Sequence, residues 1–258
     1  MTMSTAEPTA NPTSTLPPAA PKNVFQRIVG VLFAPTETFA DIVRKPNALA
    51  PLILLVIIGY ICTFMLVPII DWDSVIAAQT EAMRAKNPNI DAATLERVEN
   101  MTRTIGKVTG YVGPLFGVLA WLVVAGVLFL AFRMFGGQGT FGQAFAITIY
   151  SWIPLTLCSI LMTVIAYARG SFNPVMAPVL VKSNPAFLVD MKEHAALFSL
   201  LSAFDLFTIW SIVLLVIGFA VMSKFSKMKS AAIIVTIWLA MVLVKSGFAA
   251  LGAAKAKG

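Results

Sequence analysis

Charge is what this sequence has least of. Only 12% of its 258 residues are Asp, Glu, Lys or Arg, about half the share found in a soluble domain, so a water-facing charged surface of ordinary extent is excluded. Histidine occurs once, as His194, and cysteine twice, as Cys62 and Cys158. Without a second histidine or a CxxC spacing, a zinc site lacks its ligands. Both cysteines stand inside apolar runs and read as small buried hydrophobes with no disulfide or metal role. No G-x-S-x-G surrounds a serine that His194 could activate. The run Gly136-Gly137-Gln138-Gly139 has no strand before it and no Lys-Ser/Thr after it, so it reads as a turn and not as a phosphate loop. These absences argue against an enzyme, and the sequence points to no catalytic residue, no metal and no cofactor.

What it has is hydrocarbon. Hydrophobic residues make up 58% of the chain, and mean hydropathy is +0.84. Between Lys107 and Arg133 lie 25 residues without a charge, and 35 more separate Arg133 from Arg169. Each run exceeds the roughly 20 apolar residues that cross a bilayer. With three further apolar runs, the expected fold is all-α, a polytopic membrane helix bundle of five transmembrane helices at about 50–70, 112–132, 143–168, 202–223 and 230–249. Together with their connections they make one membrane domain over 22–252. Residues 1–21, rich in Pro, Thr and Ala, carry neither a basic n-region nor an apolar core and read as a disordered tail. Residues 71–107 form a polar insert with six acids and five bases, broken at Asn87-Pro88-Asn89. Two short helices outside the membrane are expected there, the second capped by Asp91 with Ile90 and Leu95 as a staple.

Before the first span, Phe25, Ile28, Val29, Leu32 and Phe33 fall at helical spacing beside Arg27. Pro35 opens a second short helix with Glu37 in its first turn, and Phe39, Ile42 and Val43 form its stripe before Arg44 and Lys45. Two amphipathic helices with basic flanks read as lying in the membrane interface; packing beneath the bundle is the other reading. Lys224, Lys227 and Lys229 form a basic turn with no acid among them. That turn, Arg133 and the Arg44–Lys45 pair fall on one side of the five spans, which the distribution of basic residues makes the cytoplasmic side. The N-terminus is then cytoplasmic and the C-terminus outside, in the cell membrane, or the inner membrane of a Gram-negative cell. The net charge of +7 therefore concerns headgroups and topology, with no footprint for nucleic acid.

Gly106, Gly110, Gly113 and Gly117 recur at steps of four, three and four, which places them on one helix face. Small residues so spaced let another span approach closely, and the expectation is that all four are packed. Three polar residues are candidates inside the membrane, where ionisable groups are costly and often functional. Asp205 stands near the outer end of the fourth span, where Ser202 and Asp205 have the spacing of a helix start. Lys245 lies in the fifth span, placed to snorkel outward, and Tyr150 lies in the third.

Three segments carry a family resemblance. They are FAPTETFADIVRKPNALAPL (Phe33 to Leu52); YVGPLFG (Tyr111 to Gly117) followed by GGQGTFGQAF (Gly136 to Phe145) and YSWIP (Tyr150 to Pro154); and DLFTIWSIVLLVIGF (Asp205 to Phe219) before the Lys turn. In this order on five spans, the chain resembles the YIP family of Ypt/Rab-interacting proteins, in its bacterial branch. Val112 splits the family's Y-G-P segment, and no glycine precedes Tyr150. The resemblance implies a five-span protein with a cytoplasmic N-terminus. In eukaryotes it implies a role in vesicle traffic and membrane shaping through Rab-type GTPases, but there the tail is longer and acidic, whereas the tail here has one acid, Glu7. The function expected is a non-catalytic membrane organiser or adaptor. Its partners would be the lipid bilayer and a membrane protein or a second copy of the chain. The alternative is a small permease or channel whose path Asp205, Lys245, Tyr150 and Pro154 would line.

Overall fold

The computed structural model describes residues 22–191 and 193–257; the tail over 1–21 lies outside them. Two short helices come first, α1 (Val24–Phe33) and α2 (Pro35–Arg44). Then follow α3 (Leu49–Leu66), α4 (Trp72–Lys86), α5 (Ala92–Met134), α6 (Phe141–Ser151) and α7 (Ile153–Arg169). The chain ends with α8 (Ala177–Leu180), α9 (Ala195–Ser202), α10 (Leu206–Ser223) and α11 (Lys227–Lys257). Five segments are long and apolar enough to cross a membrane: Leu49–Ile69, Ala92–Met134, Phe141–Arg169, Leu206–Ser223 and Lys227–Gly252. The all-α bundle of five candidate spans is as the hydropathy predicts. Among the described residues, strand-like pairing is confined to one bridge between Ile70 and Phe172.

The helix starts are written in side chains. Asn23 and Gln26 form a reciprocal capping box at α1, as Thr140 and Gln143 do at α6, so that two orphan N–H groups find acceptors at each start. Pro35 opens α2 with Glu37 in its first turn, and Asp71 and Asp91 cap α4 and α5. The turn between α5 and α6 uses Gly136 and Gly139 at φ 83° and 114°, a region costly for any residue with a Cβ.

Three boundaries differ from the sequence reading. The second insert helix is not separate, because α5 runs unbroken for 43 residues, about 65 Å at 1.5 Å per residue, or roughly twice the hydrocarbon thickness. A change from polar to apolar side chains does not interrupt a backbone hydrogen-bond ladder, and Pro114, inside the helix, removes only one bond. The fourth span starts at Leu206 and not at 202, since Ser202 closes α9 and Asp205 is the cap. The third span is broken at Trp152, where Pro154 lacks the N–H that would continue the ladder from α6. Asn184 and Pro185 open a 3-10 turn that ends at Leu188.

Helix α6 is the centre. Ala144, Ala146, Ile147, Thr148, Ile149, Tyr150 and Ser151 are all buried. Around them gather Val31 of α1, Phe39 and Ile42 of α2, Leu128 and Phe132 of α5, and Leu214, Phe219 and Met222 of α10. Where α10 crosses α6 it carries Gly218, and a Cβ there would strike Ile147 and press on the Phe39 ring. Gly218→Val is expected to destabilise the protein by about 1–3 kcal/mol through overpacking. Gly117→Ala, where a Cβ meets nothing within 4 Å, should stay close to the parent. Thermal unfolding of both variants in one fixed detergent checks this, and equal stabilities would show that the α6–α10 crossing is not close-packed.

Candidate functional site: a capped, broken helix at the basic end

Helices α1 and α2, the 135–140 turn and the 224–226 turn share one end of the bundle. Gln143 Nε2 donates to the Val43 carbonyl at 2.9 Å, Gln138 N–H to the Ser223 carbonyl at 3.3 Å, and Lys229 Nζ to the Phe135 carbonyl at 3.2 Å. Arg44, Lys45, Arg133, Lys224, Lys227 and Lys229 all belong to this basic end. The opposite end carries α4, the first part of α5, and the α7–α9 connection. There, Asp71 N–H donates to Phe172 O at 2.9 Å.

The cap formed by α1 and α2 is held by a buried ion pair. Arg27 Nε donates to Asp41 Oδ2 at 2.8 Å, and Arg27 Nη1 donates to the Lys45 carbonyl at 3.1 Å. Arg44 Nη2 donates to Asp41 Oδ1 at 2.7 Å. Arg27 and Asp41 are only 3% and 6% exposed. Burial by itself would raise the Asp41 carboxyl, but hydrogen bonds from Arg27 and Arg44 outweigh it and hold the group below the ordinary carboxylate value. The sequence showed Arg27 beside an apolar stripe and Asp41 between Phe39 and Ile42. It did not show that they meet across the hairpin.

Tyr150 comes to the same place. It is fully buried, and its hydroxyl faces the Arg27 guanidinium without completing a hydrogen bond. The other hydroxyls along α6 and α7 largely satisfy themselves: Thr148, Thr156, Ser159 and Thr163 each donate to the carbonyl four residues back, an economical solution where no water is available. Ser151, at the break, has no partner.

Asp205 lies at the opposite end of α10. Its carboxylate accepts from the N–H groups of Phe207 and Thr208 at 2.9 and 3.2 Å and from the Ser183 hydroxyl, a helix cap beside the positive dipole end. Lys245 is exposed, and among the described residues it makes no ion pair with Asp205. The three polar candidates are therefore not brought together. The glycine stripe divides. A Cβ at Gly106 would strike the Trp72 ring of α4, and one at Gly110 would reach Val67 at 2.9 Å, while at Gly113 and Gly117 nothing lies within 4 Å. The expected packing of Gly113 and Gly117 is thus corrected: α3 meets α5 here through Gly59 and Pro114, and not at either of these glycines. Gly117 instead lines a cleft of about 270 Å³ between α3, α5 and α7. A second cleft of about 250 Å³ lies between α5, α7, α10 and α11. Trp152 and Leu155 line both, and no charged side chain lines either. Among the described residues no group of three or more His, Cys, Asp or Glu could hold a metal.

The family profile for the Yip1 domain matches residues 29–248, which takes in the second half of α1, α2, the broken helix, the first four candidate spans and most of the fifth. The chain belongs to the Yip1 domain family. Among curated proteins it is 25% identical to the membrane protein YknW of Bacillus subtilis (strain 168) over 193 residues, 74% of this chain and 76% of that one. It is 29% identical over 72 residues to the uncharacterised protein MJ0794 of Methanocaldococcus jannaschii, 28% of this chain and 49% of that one. No solved structure matches. The Yip1 match and the Bacillus relative together support a bacterial Yip-family membrane protein, and the names of these relatives specify no reaction.

Two tests address the ion pair that joins α1 to α2. Removing one partner strands a buried charge, so Asp41→Ala should cost about 3–5 kcal/mol, whereas Arg27→Met with Asp41→Leu removes both charges and should cost less than the single change. Chemical denaturation in one detergent ranks the variants, and the reverse order would mean that the pair is hydrated. The pH dependence has a definite sign. The folded Asp41 value lies below its unfolded value of about 3.9, so its stabilisation is present above about pH 4 and lost as pH falls through the folded value. Melting temperatures between pH 7 and pH 3 should drop at the acid end for the parent and drop less for Asp41→Asn. Parallel curves would exclude Asp41 as a contributor.

Proposed function

We propose that this Yip1 domain protein is a non-catalytic membrane organiser or adaptor of the cell membrane, with its N-terminus and basic end cytoplasmic. The observation that carries the reading is the cap. Arg27 and Asp41 lock α1 to α2, and Gln143 together with the buried Val31, Phe39 and Ile42 holds the hairpin to the bundle, while its outer face leaves Phe25 and Phe33 74% and 81% exposed, with Val29 between them. Phe25, Val29 and Phe33 recur every fourth residue, so they form one stripe on α1. Beside the bilayer, and among basic residues that favour anionic headgroups, such a stripe belongs in the headgroup layer. There it displaces lipid on one leaflet only, and a rigid attachment to five spans prevents it from relaxing away.

The conduit reading has less support. Tyr150 sits with Arg27, Asp205 is engaged as a helix cap by Ser183 and two N–H groups, and the clefts beside Trp152 carry no charged side chain.

The decisive experiment places the protein in vesicles of zwitterionic lipid with an anionic phospholipid added. The parent should alter vesicle diameter or shape, and Phe25→Ser with Phe33→Ser should abolish the change while the bundle stays folded. Identical vesicles for the two proteins would sink the reading. For placement, cysteines at Ser226 and Ala92 should label from opposite sides of the cell membrane with an impermeant reagent, Ser226 from the cytoplasm. Labelling of both from one side would overturn the topology. A photocrosslinker at Phe33 in native membranes separates the two roles, with lipid adducts expected for an organiser and a defined protein adduct for an adaptor.

A further inference from the structure

The outward face of α5 carries a feature that the spans do not explain. Met101, Ile105, Val108, Val112, Leu115, Leu119 and Leu122 follow one another at steps of four and three, and each is exposed. That is a heptad seam, with apolar residues at both core positions sustained over three heptads. Val98 extends it by one position toward the helix start. The bundle lies on the other side of the helix: Trp72 packs over Gly106, Asp73 pairs with Arg103 at 2.6 Å, and the Thr102 hydroxyl donates to Gln79 at 2.8 Å. In projection at 100° per residue, those contacts cluster roughly opposite the seam.

Lipid accounts for only part of this face. Lys107 and Arg133 bracket the uncharged run of α5, so Met101 and Ile105 stand on the water side of Lys107, each more than half exposed. Apolar side chains in such a row are covered in the assembled state or cost solubility. The occupant must be a helix of the same 3.5-residue repeat that passes from water into lipid at the same depth. A second copy of this chain meets every one of these conditions. The bilayer fixes both copies at one height and in one direction, so two α5 seams face each other parallel and in register. The positions flanking the seam in its water-exposed part are Arg97, Thr102 and Thr104, and they include no pair of like charges facing each other to hold two copies apart.

We infer that the chain forms a parallel homodimer along α5, with a two-stranded coiled coil that begins outside the membrane near Met101 and continues into it. The dimer stands apart from the α1 cap, and the failure of either reading leaves the other intact.

The experiment uses the full chain in native membranes with Cys62 and Cys158 replaced by Ala. Ile105→Cys, in the seam, should form a disulfide-linked dimer on treatment with copper–phenanthroline, and Glu96→Cys, on the far side of α5, should give at least tenfold less. Comparable yields at both positions, or none at Ile105, would overturn the seam. The independent readout is subunit counting by photobleaching in membrane nanodiscs. The parent should show two copies and Ile105→Asp one, with helical content unchanged, because the side chain is exposed in the single chain. A monomeric parent, or a dimer that survives Ile105→Asp, refutes the proposal. A photocrosslinker at Met101 that captures another protein and no second copy refutes it as well.

Discussion

The constraint on which this bundle rests is that α6 is surrounded. From Ala146 to Ser151 it is buried on every side, with no lipid or water to accommodate it, so each element around it must fit, and each does so by a different device. Helix α10 comes close because Gly218 offers no side chain. Helix α5 contributes Leu128 and Phe132. The α1–α2 hairpin closes the basic end with an ion pair that would be prohibitively unfavourable there if either charge stood alone. The break at Trp152 lets the polypeptide leave this core and continue as α7, which faces the two clefts.

Much of this architecture is legible in the sequence, because membrane spans are signalled by length and hydropathy, and helix starts by single residues. Pro35, Asp91 and the Gly136–Gly139 turn all do in the structure what their chemistry suggests. What periodicity cannot supply is which face meets which neighbour. Gly106, Gly110, Gly113 and Gly117 do share a face, but two of them reach a partner and two do not, because what stands opposite each position is a property of the whole bundle. The meeting of Arg27 with Asp41 depends on the angle of the α1–α2 hairpin, which no local pattern encodes. The fused length of α5 was hidden by a change of composition at Lys107 that looks like a boundary and is only a change of solvent. The break of the third span was signalled by Pro154, a residue whose effect on the backbone is local and strong.

Asp205, an intramembrane candidate in the sequence, is a helix cap in the structure. The N–H groups of Phe207 and Thr208 and the Ser183 hydroxyl supply three donors to one carboxylate. A group so engaged begins the helix cleanly and ties the 183–184 loop to it.

The continuity of α5 has a mechanical consequence. Lys107 divides α5 into a charged arm and an uncharged arm of 25 residues before Arg133, so the helix is one rod with a fulcrum near the point where its side chains turn from polar to apolar. A sideways push on the outer arm becomes a counter-tilt of comparable size in the inner arm, and the inner arm ends at the turn that leads into α6. Pro114 stands close to that fulcrum, at the one place where the ladder lacks a bond and bending is cheapest. Force applied outside the membrane therefore has a short, stiff route to the core at the opposite face, with its compliance concentrated at a single residue.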